Sequence, residues 1–388
     1  MSSAPTGPAT ATRRFAGRAA APLRAVVVPF VGARVIVLAA LALAHLVVSR
    51  DHPSAATVFR VHQGLLAWDA GFYESIAKVG YAPLGHQALR FFPLFPLAAR
   101  ALALVPGVSD GVAVVLIANL GALIGTALLV ALVRRERGDD ALASRTAWLF
   151  SLAPPAFTLV LGYAEGLLLV CTTACFLCLR PAADRRPSWW WAAAFGYAGA
   201  LTRPLGVLLV LPVALEAVRR WRTAEASERV GMAAALIGPV AGLATFLGWS
   251  AAVEGDFWLP LRVQTSAGHH GGLSDPFRTL LDDAKGALHH HFGTALHVPW
   301  VLLVVVVLVF VWRRLPASYG AFATGVVLVA LSGTNLDSFE RYALSAFPLV
   351  MVGAMGLASR RVERAVLVLS AAGLFAYSLL AFLNLSVP

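Results

Sequence analysis

Residues Ala25–Val48 read AVVVPFVGARVIVLAALALAHLVV and follow a tail, residues 1–24, that is rich in Ser, Ala, Thr and Pro and carries Arg13, Arg14, Arg18 and Arg24. A helix crossing the hydrocarbon core of a bilayer needs about 20 predominantly apolar residues. The apolar region of a cleaved signal peptide is shorter, about 7–15 residues. The stretch therefore reads as an uncleaved first span, with its basic tail held in the cytoplasm. The whole chain agrees. Of its 388 residues 59% are hydrophobic and 13% charged, against roughly 45–50% and about 25% in soluble domains. Soluble, disordered and fibrous classes are excluded.

The net charge is +11, with 31 Lys and Arg against 20 Asp and Glu. A basic balance of this size often marks a nucleic-acid binder. Here the charge lies in short runs between apolar segments, which is the positive-inside pattern of a multi-pass membrane protein, so no nucleic-acid partner is expected. The runs are Arg13–Arg24, Arg134–Arg145, Arg180–Arg186, Arg219–Arg229, Arg313–Arg314 and Arg360–Arg364. Placing all six in the cytoplasm makes every interval between them cross out and back.

That rule predicts an all-α polytopic fold of about eleven spans, with the N-terminus inside. Residues 1–24 form a cytoplasmic basic tail and 25–388 a single membrane domain, with outer loops at about 49–110, 253–297 and 334–342. Spans fall at about 25–48, 112–133, 230–252, 298–312, 317–333, 343–358 and 365–385. Intervals 146–179 and 187–218 are long for one helix and short for two. Each has a polar interruption at its middle, Gly162-Tyr163-Ala164-Glu165 and Thr202-Arg203-Pro204. Helical hairpins turning at those residues are one reading, single tilted helices the other. Cys171, Cys175 and Cys178 share an apolar run at helical spacing and read as small apolar residues rather than metal ligands.

Within the first outer loop, residues 68–81 read WDAGFYESIAKVGY. Wound as a helix, Trp68, Phe72, Ile76 and Val79 form an apolar face, with Glu74 and Lys78 opposite as an i,i+4 pair. Such a helix lies in the membrane interface. Asp69 falls on the apolar face, and an ionisable group so placed is a functional candidate by default. The plainer reading of Asp69 is a helix N-cap. Downstream, Phe91-Phe92-Pro93-Leu94-Phe95-Pro96 combines aromatics suited to the interface with two prolines that favour an extended turn. Phe91, Phe92 and Phe95 are candidates for a groove holding an isoprenoid chain, or simply for an aromatic belt.

Trp68-Asp69, Tyr73, Ile76-Ala77, Gly80-Tyr81 and Phe91–Pro96 together resemble the GPI mannosyltransferase 2 (PIG-V) family. Weaker resemblance continues at Gly162–Glu165, Leu201–Gly206 and Arg341–Pro348. The resemblance implies a GT-C membrane glycosyltransferase with interfacial helices in its first outer loop, a catalytic Asp there, and a lipid-phosphate sugar as donor. Asp69 is then the general base. It also implies mannose as the sugar and inversion at its anomeric carbon. The acceptor, whether glycolipid, polysaccharide or protein, stays open.

Nucleotide sugars are not expected outside the cytoplasmic membrane, so the co-substrate is a polyprenyl-phosphate sugar. A departing phosphate asks for a cation, and Arg offers a planar fork. Arg341 is the first candidate and Arg203 the second. Their plainer readings are a pair with Glu340 or Asp337 for Arg341, and a helix-end side chain reaching to the interface for Arg203. Tyr73, Tyr163 and Glu165 are candidate substrate contacts, and Tyr163 and Glu165 read equally as structural hydrogen-bonders. No metal or other cofactor is expected. His269, His270 and His289–His291 match nothing in the family's pattern and read as a solvated loop. The rival class is a secondary transporter or lipid flippase, which places polar groups at mid-membrane. Asn119 is the main residue of that kind, and packing accounts for it.

Overall fold

The computed structural model describes residues 8–50, 53–182, 185–265, 274–275, 278–281, 285, 297–334, 336, 338–357 and 359–385, with side chains from residue 25 onward. The described residues are mostly helical and contain no strand. In chain order the helices are α1 Pro8–Arg50, α2 Ala55–Gln63, α3 Asp69–Val79, α4 Leu94–Ala103, α5 Asp110–Arg137, α6 Asp140–Leu152, α7 Glu165–Leu179 and α8 Trp189–Thr202. They continue with α9 Val210–Arg220, α10 Ala226–Glu254, α11 Leu259–Gln264, α12 His297–Arg314, α13 Ala317–Leu331, α14 Phe339–Ser345, α15 Phe347–Gly356 and α16 Arg360–Phe382. Short 3-10 turns at Pro154–Leu159 and Pro204–Leu209 fill two of the breaks.

Among the described residues, five helices are long and apolar enough to cross a bilayer: residues 25–50 of α1, α5, α10, α12 and α16. Their outward faces carry exposed apolar side chains, among them Val28, Leu120, Ile237, Leu302 and Val368. Such faces suit hydrocarbon and would be costly in water. The expected span at 343–358 is divided. Ala346 interrupts it, and Pro348 sits in the first turn of the ten-residue α15. At 1.5 Å per residue that helix reaches only about 15 Å.

The breaks follow local chemistry. Ser109 caps α5 by accepting the Val112 N–H. Gly138, at φ 64°, ends it in the left-handed region that glycine tolerates. Asp139 then caps α6 through the Leu142 N–H, so one short turn reverses the chain. Pro154 and Pro155 stop α6. Arg203 precedes Pro204 and is held extended, at φ −155° and ψ 151°, because proline excludes the α region for the residue before it. Both polar interruptions of the sequence are therefore true helix breaks.

Arg137 bonds the Arg314 carbonyl, Arg145 the Leu357 carbonyl and Arg135 the Leu177 carbonyl, so basic runs distant in sequence meet at one end of the bundle. A buried network fixes that end. Arg180 bridges Glu136 (2.5 Å) and Glu216 (2.8 Å), Ser318 donates to Glu216, and the Tyr319 hydroxyl donates to Glu136. Within the bundle, Arg34 Nε donates to Asn119 Oδ1 at 2.9 Å and Arg34 Nη2 to the Leu159 carbonyl at 2.8 Å, while Asn119 Nδ2 donates to the Val160 carbonyl. Asn119 thus ties α1, α5 and the segment before α7 together.

Two glycines let backbones approach where the breaks lie. A Cβ on Gly166 would sit 2.5 Å from the Ala118 carbonyl oxygen and 2.6 Å from the Ala122 nitrogen, so α7 lies directly on α5. A Cβ on Gly206 would collide with the Gly199 backbone, so the 3-10 turn folds back onto α8. These contacts fix Glu165 and Arg203, which are one and three residues away. Gly166→Ala and Gly206→Ala are each expected to cost about 1–3 kcal/mol through overpacking. Thermal unfolding of the detergent-solubilised chain measures this, and an unchanged midpoint for both would contradict the close approach.

Candidate active site

Four breaks meet at the other end of the bundle, and each delivers one charged side chain. Asp69 is the first residue of α3, Glu165 the first of α7, Arg203 lies in the break after α8, and Arg341 is in the short α14. The two carboxylates stand at helix N-termini, where the peptide dipoles favour negative charge. Both short helices are entered through residues with positive φ, Trp68 at 61° before α3 and Ser338 at 67° before α14. Bulky residues rarely adopt this conformation, and it costs of order 1–3 kcal/mol. Trp68 is held there by its indole N–H, which bonds the Ala381 carbonyl at 3.0 Å, and by the Arg60 guanidinium 4.1 Å above its ring.

The charges alternate. Arg341 Nη1 donates to Asp69 Oδ2 at 2.8 Å, and Arg341 Nε lies 3.5 Å from Glu165 Oε1. The same Glu165 oxygen accepts from Arg203 Nη1. The order is Asp69, Arg341, Glu165, Arg203. The Tyr163 hydroxyl accepts the Asp69 N–H at 3.3 Å, and the Tyr163 ring lies 5.3 Å from the Arg341 guanidinium. Tyr342 touches both arginines, at 5.2 Å from Arg203 and 5.6 Å from Arg341.

A cavity of about 330 Å³ opens beside this chain of charges. Asp69, Arg203 and Arg341 line it, together with Tyr73, Phe91 and Phe92. Its remaining wall is largely apolar, including Leu205, Leu208 and Leu243. Tyr163 and Glu165 lie behind the wall, with Glu165 only 4% exposed. Phe95 is fully buried and packs edge-on against Tyr73 at 4.7 Å, so it backs the wall rather than forming it. Tyr342, from the Arg341–Pro348 stretch of the resemblance, also lines the cavity, as do Arg90 and Gln264, which had no distinguishing sequence signal. Arg90 is one more arginine in a basic chain, and Gln264 meets it only through the fold, donating to its carbonyl at 2.8 Å.

Several local expectations change. Asp69 makes no cap; its carboxylate is taken by Arg341. Arg341 does not pair with its neighbour Glu340, which instead accepts from His297 Nδ1 at 2.8 Å. Asp337, like His269, His270 and His289–His291, lies outside the described residues. The buried stripe of α3 is Ala70, Tyr73, Ile76 and Ala77, while Phe72, Lys78 and Val79 are exposed. The helix is rolled so that Tyr73 enters the aromatic cluster with Phe91 and Phe95. Pro93 and Pro96 do not hold the chain extended. They sit at the cap and in the first turn of α4, where a missing N–H costs nothing. Among the described residues no three His, Cys, Asp or Glu side chains gather closely enough to hold a metal ion.

Burial alone would raise the Asp69 carboxyl, but the Arg341 guanidinium, helped by Arg90 and Arg203, holds it below the usual aspartate value. Burial pushes the Tyr73 hydroxyl above the usual tyrosine range, which keeps it a neutral donor at the cavity wall.

The architecture is a many-helix membrane bundle with a carboxylate and two arginines facing a largely apolar cavity at one end. The fold is similar to that of ArnT from Cupriavidus metallidurans, solved bound to undecaprenyl phosphate. The TM-score is 0.50 at 14% identity, over 81% of this chain and 71% of that one. An Archaeoglobus fulgidus oligosaccharyltransferase, solved with zinc and sulfate, aligns too loosely to bear on the fold or the site, with a TM-score of 0.41 and 11% identity over 76% of this chain and 44% of that one. Residues 33–220 match the family described as Mannosyltransferase (PIG-V), which bears out the resemblance read from the sequence and makes the chain a hexosyltransferase. None of the curated proteins compared with the chain matches it significantly.

Two outcomes follow from the ion chain. Glu165→Ala leaves two buried arginines without their shared counter-ion and is expected to cost about 3–5 kcal/mol; chemical unfolding in detergent checks this, and a loss under about 1 kcal/mol contradicts it. The Asp69 carboxyl is lowered in the folded state, so its stabilisation is present above the ordinary value of 3.8 and lost as pH falls through the lower folded value. The stability gap between wild type and Asp69→Asn should stay constant from about pH 7 to about pH 5 and close below about pH 4. Closure between pH 7 and pH 5 would mean that the carboxyl is raised instead.

Proposed function

We propose that the chain transfers a sugar, mannose by family resemblance, from a polyprenyl-phosphate donor to an acceptor hydroxyl, with inversion. The observation that carries this is one cavity lined both by Asp69 and by the arginine pair Arg203 and Arg341. A base and a phosphate-binding fork on one wall are what a single displacement at an anomeric carbon needs. The acceptor oxygen attacks that carbon and its proton passes to the Asp69 carboxylate. The bond from the anomeric carbon to the phosphate oxygen breaks, and the lipid phosphate leaves with one more negative charge. Arg341 and Arg203 stabilise that charge. The apolar wall, with Phe91 and Phe92, takes the first isoprene units, and undecaprenyl phosphate on ArnT shows a lipid of this kind on a similar fold. The sugar donor is the co-substrate, and the arginines do the electrostatic work a metal would otherwise do.

The basic end of the bundle faces the cytoplasm by the positive-inside rule, which puts the cavity on the outer face of the plasma membrane. The N-terminal tail is then inside, and the rest of the chain is one membrane domain. The acceptor is a glycolipid, polysaccharide or protein hydroxyl reaching that face. A flippase or transporter reading is less well supported, because the mid-bundle polar residues Arg34 and Asn119 spend their bonds on each other and on backbone carbonyls.

Membranes containing the chain, given labelled polyprenyl-phosphate mannose, should transfer label to an endogenous acceptor, and Asp69→Asn should lower transfer about 100-fold or more, the usual scale of a lost general base. Equal transfer by a normally inserted Asp69→Asn variant would remove Asp69 from catalysis.

A further inference from the structure

Arg341 is pulled in two directions by the proposed reaction. It must bind the donor phosphate, yet its Nη1 is already bonded to the carboxylate that must act as base. A carboxylate held in an ion pair is a weak base, and a guanidinium held by a carboxylate is a weaker anion site.

The two carboxylates on Arg341 are not equivalent. Asp69 lines the cavity and its side chain is 26% exposed, so an incoming anion can reach the Asp69-facing edge of the guanidinium. Glu165 meets the Nε edge from behind the wall and is nearly sealed from the cavity. It also holds Arg203, so it anchors both arginines at once. A cation in ion-pair contact on one edge with a sealed acid, and hydrogen-bonded on the other to an accessible one, can change partners on the accessible edge alone.

We infer that Asp69 and the donor phosphate compete for Arg341, with Glu165 anchoring the guanidinium in both states, so that the base is released only in a site already holding donor. The inference rests on the proposed reading of the cavity as a lipid-phosphate site. It makes Glu165 a positioning residue and imposes an order, donor before acceptor activation. By linkage, whatever phosphate does to the Asp69–Arg341 pair, the pair does to phosphate affinity.

The test is equilibrium binding of a sugar-free polyprenyl phosphate to the full chain in lipid nanodiscs, which involves no turnover. Asp69→Asn, and Asp69→Ser as a second neutral variant, should bind it about tenfold or more tightly than wild type, the order expected for freeing one ion-paired cation. The gain should disappear in an Arg341→Ala background, because the cycle then contains no shared cation. Equal affinity of wild type and both Asp69 variants overturns the competition. So does a gain that persists without Arg341, which would show general charge repulsion. Absence of binding by wild type and by both Asp69 variants overturns the reading of the cavity itself, a result distinct from the other two.

Discussion

Everything at the cavity end of this bundle depends on the alternation Asp69, Arg341, Glu165, Arg203. Four charged side chains in a chain built for lipid would be prohibitively costly singly, because moving an ion out of water costs several kcal/mol. Set in alternation, each charge meets the opposite sign, and the cost becomes a constraint on architecture. α3 must begin at Asp69, α7 at Glu165, α8 must stop before Arg203, and α14 must be a separate short helix carrying Arg341. Gly166 and Gly206 permit the backbone approaches that keep two of those ends in place. The other end of the bundle uses the same device: Glu136, Arg180 and Glu216, with Ser318 and Tyr319, tie α5, α7, α9 and α13 together there.

The two networks differ in access. At the Arg180 end the acids are satisfied by arginine and by Ser318 and Tyr319, and the group is closed. At the Asp69 end one acid and two arginines of the chain face a cavity whose other wall is apolar. That asymmetry, a charged wall opposite a greasy one, matches a ligand with a charged head and a hydrocarbon tail.

Much of the architecture was legible in the sequence because hydrophobic length and charge position act locally. The long apolar runs became α1, α5, α10, α12 and α16, and the basic runs gathered at one end as the charge rule demands. The polar interruptions at Gly162–Glu165 and Thr202–Pro204 were readable because charged residues in apolar runs and a proline after Arg203 stand out locally, although α6 itself ends earlier, before Pro154 and Pro155. The site was legible as a set of residues, with Asp69, Arg203 and Arg341 brought together from positions far apart in the chain. Their partners were not. Nothing local says that Arg341 prefers Asp69 to the adjacent Glu340, since that choice is made by where α14 lands. The roll of α3 was hidden for the same reason: a helical wheel gathers Phe72, Ile76 and Val79 on one apolar face without saying which of them meet protein, and the fold buries Ile76 and Tyr73, the latter against Phe91 and Phe95, while Phe72 and Val79 stay exposed. Arg90 and Gln264 carry no pattern at all and are found only by the cavity they share.

The central claim is that this cavity holds the phosphate of a lipid donor. Its most direct test is an electron cryomicroscopy structure of the chain in lipid nanodiscs with a sugar-free polyprenyl phosphate. The account predicts phosphate density within hydrogen-bonding distance of Arg341 and Arg203, with the isoprenoid leading away along the Leu205, Leu208 and Leu243 wall. Phosphate bound elsewhere on the protein, with this cavity occupied only by water, would contradict it.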